Sequence, residues 1–104
     1  MEFMETPYFT RRIVRIMPDD TYRAMQAALA DRPDAGALIP GAGGLRKLRW
    51  RTPGKGKRGG VRVIYYWFVA ESRIFLLQVY GKSEREDLSR DELNVLARLA
   101  KENA

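Results

Sequence analysis

The sequence predicts an α+β protein in which two helices precede a small, twisted antiparallel sheet and one helix follows it. Two segments with a helical spacing of apolar residues come first, and three segments rich in Val, Ile, Tyr, Phe and Trp come next. A helix-capping pattern then appears near the end. The chain has 104 residues and no cysteine. We expect one domain (1–104) with three to four strands and with both N-terminal helices on one face.

The two N-terminal helices are predicted from their caps and apolar stripes. Thr6 is a suitable N-cap, and Pro7 follows it at the first helical position. The segment MPDD at 17–20 ends this helix and offers a new N-cap. The apolar spacing i, i+3, i+4, i+7 that follows predicts a second helix to about residue 30, on Tyr22, Met25, Gln26 and Leu29.

Three strands are predicted at 45–51, 61–69 and 74–80. The short turn at 70–72 favours a hairpin between the last two, and a glycine-rich segment joins the first two. The residues before Thr6 are a candidate for a short edge strand, and 34–44 is a Gly/Pro/Ala connector. A capping box at 89–92 precedes the apolar stripe of the final helix, on Leu93, Leu96, Ala97 and Ala100.

The positive charge of the chain is concentrated in one stretch. Of 19 basic residues, eight lie within 46–62, and no Asp or Glu occurs in 35–70. The remaining 11 basic residues are balanced by 13 acidic ones, so the net charge of +6 is due to this stretch. A solvated surface is the alternative, but such density of like charge favours a site for a polyanion.

Strand alternation assigns the basic side chains to one face of the sheet. If the apolar sets Leu48/Trp50, 61/63/65/67 and 75/77/79 pack on the two helices, their complements share the other face. A bulge in any strand would reverse part of this assignment. The second face is then expected to carry Lys47, Arg49, Arg51, Arg62, Tyr80 and Lys82.

The string GKGKRGGV at 54–61 fits G-x-G-x-x-G-x-V, but its surroundings exclude nucleotide-binding loops. A strand follows it where a dinucleotide site needs a helix, and Arg58 stands where a Walker loop needs Ser or Thr. The other protein-kinase motifs are absent from the sequence. We therefore expect a basic hairpin loop in which Lys55, Lys57 and Arg58 contact a phosphodiester chain.

The residue types limit the chemistry. The sequence has no His and no Cys, so catalysis would use Lys, Arg, Tyr, Ser or carboxylates. Glu84, Glu86 and Asp87 precede a helix N-terminus, where a solvated structural role is expected rather than a metal site. We expect neither a metal nor another cofactor. With no apolar run long enough to cross a membrane, we expect a cytoplasmic protein without a membrane partner.

The order of elements, together with the segments LRKLRW, GKGKRGG, VRVIYYW and LLQVYGK, resembles the RelE/ParE superfamily of bacterial toxins, in particular the HigB-like branch. This resemblance implies a ribosome-dependent mRNA endonuclease with the ribosome and mRNA as partners. It also implies a cognate antitoxin, with a helix-turn-helix DNA-binding domain, as a partner that silences the toxin.

The resemblance also implies roles for individual residues. Lys47 and Arg49 match the family's basic pair, Arg62 matches the arginine opening the next strand, and Lys82 falls in its later basic stretch. The RelE pattern continues with an arginine and a tyrosine where this chain has Ser83 and Leu88, so its general base is not carried over. Tyr80 fits the HigB-like pattern and is a candidate for that task.

Cleavage through the 2′-OH requires removal of its proton, stabilisation of charge on the phosphate and protonation of the 5′ oxygen. Arg62 suits the phosphate, and Lys47, Lys57 and Lys82 are candidates for proton transfer. We expect Arg49, Arg51, Lys55 and Arg58 to bind RNA. The alternatives are a non-catalytic, ParE-like gyrase inhibitor and a plain RNA-binding module. An apolar surface is expected to receive the partner, on Ile64, Tyr66, Phe68, Ile74 and Leu76.

Overall fold

The computed structural model describes residues 1–52 and 60–104, in which the chain forms three helices and a five-stranded sheet. The predicted α+β class is confirmed. In chain order the elements are β1 (Glu2–Glu5), α1 (Pro7–Ile16), α2 (Asp19–Asp31), β2 (Ala37–Leu38), β3 (Arg46–Arg51), β4 (Gly60–Phe68), β5 (Arg73–Gly81) and α3 (Arg90–Glu102).

The sheet has the strand order β1-β5-β4-β3-β2. Its central strands β3, β4 and β5 are antiparallel in sequence order, as predicted. Two short edge strands extend it. β1 pairs with β5 in parallel, and the two-residue β2 pairs with β3 inside the predicted connector. Only β4 and its two neighbours are long, so the middle of the sheet is its most constrained part.

Helix α1 begins where the sequence predicts, and its cap also fixes it to the sheet. The Thr6 hydroxyl accepts a hydrogen bond from the Phe9 N–H at 3.0 Å. The same hydroxyl donates to the carbonyl of Leu77 in β5 at 2.9 Å. Pro7 supplies the fixed φ of the first turn. Phe9 and Ile13 are the buried residues of this helix, which packs against β5.

Helix α2 has the predicted apolar stripe but not a side-chain N-cap. Pro18 occupies the cap position and makes no side-chain cap hydrogen bond. Asp19 and Asp20 lie instead in the first turn, where negative charge interacts favourably with the helix dipole. Met25 and Leu29 are buried in the core that α1 and α2 form with the sheet.

A β-bulge in β5 changes the predicted assignment of faces. Ile64 pairs with Gln78 but Tyr65 pairs with Leu76, so Leu77 has no partner in β4. Alternation in β5 therefore reverses at Leu77. The prediction that 75, 77 and 79 share the face of α1 and α2 is wrong for 75 and 77, which lie in the α3 core, and Ile74 and Leu76 take their place.

Helix α3 covers part of the second face of the sheet and forms a separate core there. Ile64 and Phe68 are only 1% and 5% exposed in this core. The prediction that the final helix leaves these residues uncovered for a partner is wrong, because α3 and the segment before β3 pack over them. Tyr66 is half-buried, and Ile74 and Leu76 face the other core.

The predicted capping box at the start of α3 is confirmed. The Ser89 hydroxyl accepts from the Glu92 N–H at 3.1 Å, and Glu92 Oε1 accepts from the Ser89 N–H at 2.8 Å. Arg85 donates to the same carboxylate at 2.5 and 2.9 Å. These hydrogen bonds lower the pKa of Glu92 from 4.5 to about 2, and the bond from Arg85 has the largest effect.

Replacing Glu92 with Gln should destabilise the protein at neutral pH and much less in acid. The folded-state pKa is depressed, so the charged carboxylate stabilises the fold above pH 4.5, and this contribution is lost as the pH falls toward 2. Urea unfolding of wild type and E92Q at pH 7 and pH 3 measures the difference in the free energy of unfolding between them at each pH. E71Q, at an exposed turn, is the matched control. An equal difference at both pH values would contradict the role of the ionised carboxylate.

Candidate functional site

Side chains of the three central strands form rows across the face that also carries α3. Arg49 pairs with Arg62, and Arg62 pairs with Tyr80. Residues directly opposite each other in antiparallel strands place their side chains on the same face. The register therefore brings together Arg49, Arg62 and Tyr80, which are far apart in sequence. In the next row Lys47 pairs with Ile64.

A third row lies where β3 ends and β4 begins. Arg51 pairs with Gly60, and the Lys82 N–H donates to the Gly60 carbonyl at 3.0 Å. Gly60 has no side chain, and a Cβ built on it would lie 3.9 Å from Nη1 of Arg62. The guanidinium of Arg62 therefore extends beside Gly60, and the side chains of Arg51 and Lys82 are exposed.

Arg62 is a buried cation in the middle strand. It is 7% exposed, and its Nε has no hydrogen-bond partner within residues 1–52 and 60–104. A second cation, Arg49, lies directly opposite in β3. Burial of a charge and apposition of like charges both destabilise a fold. This arrangement is unfavourable for the protein alone and favourable for holding an anion.

Asp87 is an acidic member of this site that the sequence did not reveal. Its Oδ1 accepts a hydrogen bond from Nζ of Lys47 at 2.7 Å. This bond lowers the pKa of Asp87, and the nearby charges of Arg62 and Arg49 lower it further. The contact joins residues 40 positions apart, so local pattern could not have predicted it. The basic stretch is thus partly neutralised by a carboxylate from the segment before α3.

Tyr80 combines deep burial with a free hydroxyl. It is 3% exposed, and its hydroxyl has no hydrogen-bond partner in the described part of the chain. Burial raises the pKa of Tyr80, and the charge of Asp87 adds to this effect. The guanidinium of Arg85 lies 5.9 Å from the ring centroid. Tyr80 is therefore neutral at physiological pH and can donate a proton or a hydrogen bond.

The turn after β5 is held by Glu84. Its Oε1 accepts from the Gly81 N–H at 2.7 Å and from Nη2 of Arg12 at 2.5 Å. The first of these bonds is the main reason why the pKa of Glu84 is lowered. Arg12 belongs to α1, so this ion pair connects the helix to the turn that carries Lys82. Glu84 thus orders a border of the basic face, and Glu86 is exposed.

The remaining predicted site residues, Lys55, Lys57 and Arg58, lie outside the described residues, as does the predicted basic loop. Within 1–52 and 60–104, no group of three His, Cys, Asp or Glu side chains is arranged to hold a metal ion. No helix in those ranges is long and apolar enough to span a bilayer.

The fold and the site define a small α+β protein with a cationic sheet face that is suited to the phosphates of a polyanion. A family model described as the RelE toxin of the RelE/RelB toxin–antitoxin system matches residues 6–104. The chain therefore belongs to the RelE toxin family and is a toxin of a toxin–antitoxin system, with a cognate antitoxin as its partner. The resemblance to the RelE/ParE superfamily is confirmed, whereas the HigB-like branch stays a prediction.

Replacing Arg62 with Met should stabilise the folded protein. Met keeps much of the side-chain length but removes a buried charge and the repulsion from Arg49, so we expect the free energy of unfolding to rise by about 1 kcal/mol. Urea unfolding followed by tryptophan fluorescence measures the change. R23M, at an exposed position on α2, is the control and should alter stability by less than about 0.5 kcal/mol. Destabilisation by R62M would mean that Arg62 is a structural residue.

Proposed function

We propose that the protein is an endoribonuclease that cuts messenger RNA on the ribosome, using the 2′-OH of the message as nucleophile. The observation that supports this proposal most is the buried, incompletely paired Arg62, aligned with Arg49 and Tyr80. Membership of the RelE toxin family supports it independently. The site would act without a metal ion, because Arg, Lys and Tyr side chains can together supply the required charge and protons.

Arg62 takes the role of stabilising the phosphate during cleavage. Attack by the 2′-OH adds negative charge to the phosphate oxygens, and a guanidinium matches their geometry and stays charged. A buried guanidinium acts more strongly than an exposed one because less water screens it. Arg62 also lies on β4, the middle strand of the sheet, which is paired on both sides. Its side chain therefore needs little rearrangement to bind the phosphate.

Tyr80 is proposed to donate a proton or hydrogen bond to the reacting nucleotide. Its raised pKa keeps the phenol protonated, which favours donation to the 5′ oxygen over removal of the 2′-OH proton. Proton removal is assigned to one of the lysines, Lys47, Lys57 or Lys82. Lys47 would have to exchange its present partner, Asp87, for the RNA.

Binding of the message and the ribosome is assigned to the more exposed cations. Arg49 and Arg51 have exposed side chains on the same face as Arg62, and Lys55 and Arg58 belong to the segment that follows β3. Contacts of this kind bind phosphates without reading sequence and weaken as salt is added. We further propose that the toxin acts in the cytoplasm and that its antitoxin carries a helix-turn-helix DNA-binding domain.

Replacing Arg62 with Ala should abolish ribosome-dependent cleavage. Loss of a preorganised charge on the reacting phosphate should lower the cleavage rate by at least about a hundredfold. Primer extension on a message translated in vitro, with and without ribosomes, maps the cuts. R23A, which removes an equal charge from an exposed face of α2, should cut like wild type.

The same assay separates the proposal from its alternatives. Absence of cuts by wild type, combined with inhibition of DNA supercoiling by gyrase, would indicate the ParE-like function instead. RNA binding without cuts or gyrase inhibition would indicate a plain RNA-binding module. Equal cutting by R62A and wild type would show that the catalytic assignment is wrong.

Replacing Tyr80 with Phe tests the role of the hydroxyl separately. The ring fills the same space, and the hydroxyl has no partner among the described residues, so stability should be retained or slightly increased. We expect the single-turnover cleavage rate to fall by about a hundredfold or more, with little change in affinity for the ribosome. An unchanged cleavage rate would remove Tyr80 from the catalytic group.

A further inference from the structure

A cleft of about 380 Å³ lies beside the cationic face, between the sheet, the segment before β3 and the start of α3. Most of its lining is apolar and comes from Ile39, Pro40, Ile64, Leu88 and Leu93. Arg90 of α3 donates to the Gly41 carbonyl at 3.1 Å, which ties the segment before β3 to the helix. The cleft is therefore preformed, with walls from three parts of the fold.

The cleft adjoins the position proposed for the reacting phosphate. Tyr80 lines it and is also the direct neighbour of Arg62 in the sheet. Lys47 lines it as well, one row away from Arg62. A ligand whose phosphate contacts Arg62 can therefore place an attached flat, mainly apolar group in the cleft. The base of a nucleotide is such a group, since it has two apolar faces and a polar edge.

Asp87 is the polar group of the cleft that is available to the edge of a base, since the Tyr80 hydroxyl, which has no partner within residues 1–52 and 60–104, is assigned to the 5′ oxygen. Asp87 bonds to Lys47 through Oδ1, which leaves Oδ2 for another donor. An ionised carboxylate only accepts hydrogen bonds, so it favours a base that presents an amino group.

We propose that this cleft binds one base of the message next to the phosphate at Arg62, and that Asp87 selects bases that carry an exocyclic amino group. Adenine, cytosine and guanine each present such a donor, whereas uracil has no amino group and presents only a ring N3–H between two carbonyl oxygens that the carboxylate repels. The cleft is thus a specificity site that borders the groups proposed for cleavage and shares Tyr80 and Lys47 with them. This inference rests on the proposed function, because it takes RNA as the ligand.

Binding of single nucleotides to the free protein tests the cleft without a ribosome. Methyl NMR spectra are recorded during titration with the 5′-monophosphates of adenosine, cytidine, guanosine and uridine, and with inorganic phosphate. We expect at least one amino-bearing nucleotide to shift the methyl signals of Ile39, Leu88 and Leu93, and to bind roughly fivefold more tightly than the uridine nucleotide. Ala97, in the cleft with Tyr66 and Phe68 near the end of α3, is the internal control and should not shift.

Two results of the titration would overturn the inference. One is that inorganic phosphate shifts the same methyl signals as the nucleotides, which would mean that no base enters the cleft. The other is that none of the four nucleotides shifts them. Neither result depends on cleavage. The inference about the cleft can therefore fail while the proposed nuclease activity stands, and the nuclease activity can fail while nucleotides still bind in the cleft.

The cleavage pattern of D87N tests the selection directly. Asparagine offers a donor as well as an acceptor, so D87N should cut sites with uracil at the selected position several-fold more often, relative to other sites, than wild type does. D91N, an equal substitution at an exposed position on α3, is the matched control and should keep the wild-type pattern. If D87N cuts with the wild-type pattern, the assignment of Asp87 is wrong.

Discussion

Most of the candidate site depends on one unfavourable arrangement, the burial of the Arg62 guanidinium in the middle strand of the sheet. Such a charge is tolerated only where the surrounding structure is stable enough to offset its desolvation. The two cores, one on each face of the sheet, provide that stability. The neighbouring strands place two further side chains beside the buried charge, a second cation from β3 and a phenol from β5. The location of the site in the sheet is therefore a consequence of stability as well as chemistry.

The free protein supplies its own anion for this cationic face. Asp87 accepts from Lys47 and lies within the electrostatic influence of Arg62 and Arg49. The RNA proposed as substrate would place phosphate charge in the same region, so the carboxylate and the message would compete for the same cations. In that competition the affinity of the face for anions in general is reduced, and a ligand that also makes non-electrostatic contacts is favoured. An internal acidic group can thus add selectivity to a surface that would otherwise bind any polyanion.

The sequence predicted the parts of the molecule that are determined locally. Each helix cap, Thr6 or Ser89, lies directly before the helix that it starts, and the apolar stripes lie within the helices themselves. Strand alternation correctly placed the basic residues of β3 and β4 on one face of the sheet. The errors arose where long-range pairing decides. No local signal marks the extra residue at Leu77, so half of β5 was assigned to the wrong face. The pairing of Lys47 with Asp87 requires knowledge of how the segment before α3 returns to the sheet. The catalytic roles of the site residues stay predictions.

The bulge at Leu77 links the folding of the N-terminus to the geometry of the site. A bulged residue lacks ladder partners, and here its carbonyl accepts from the hydroxyl that also caps α1. The two halves of β5 are consequently offset by one residue, the first serving the packing of α1 and the second presenting Tyr80. If the strand continued through Leu77 without the bulge, Val79 would lie on the cationic face and Tyr80 would face α1 and α2. A related chain can therefore be compared with this one along β5 only when the extra residue at Leu77 is taken into account, because spacing along the strand, and not residue identity alone, decides which side chains share the face of Arg62.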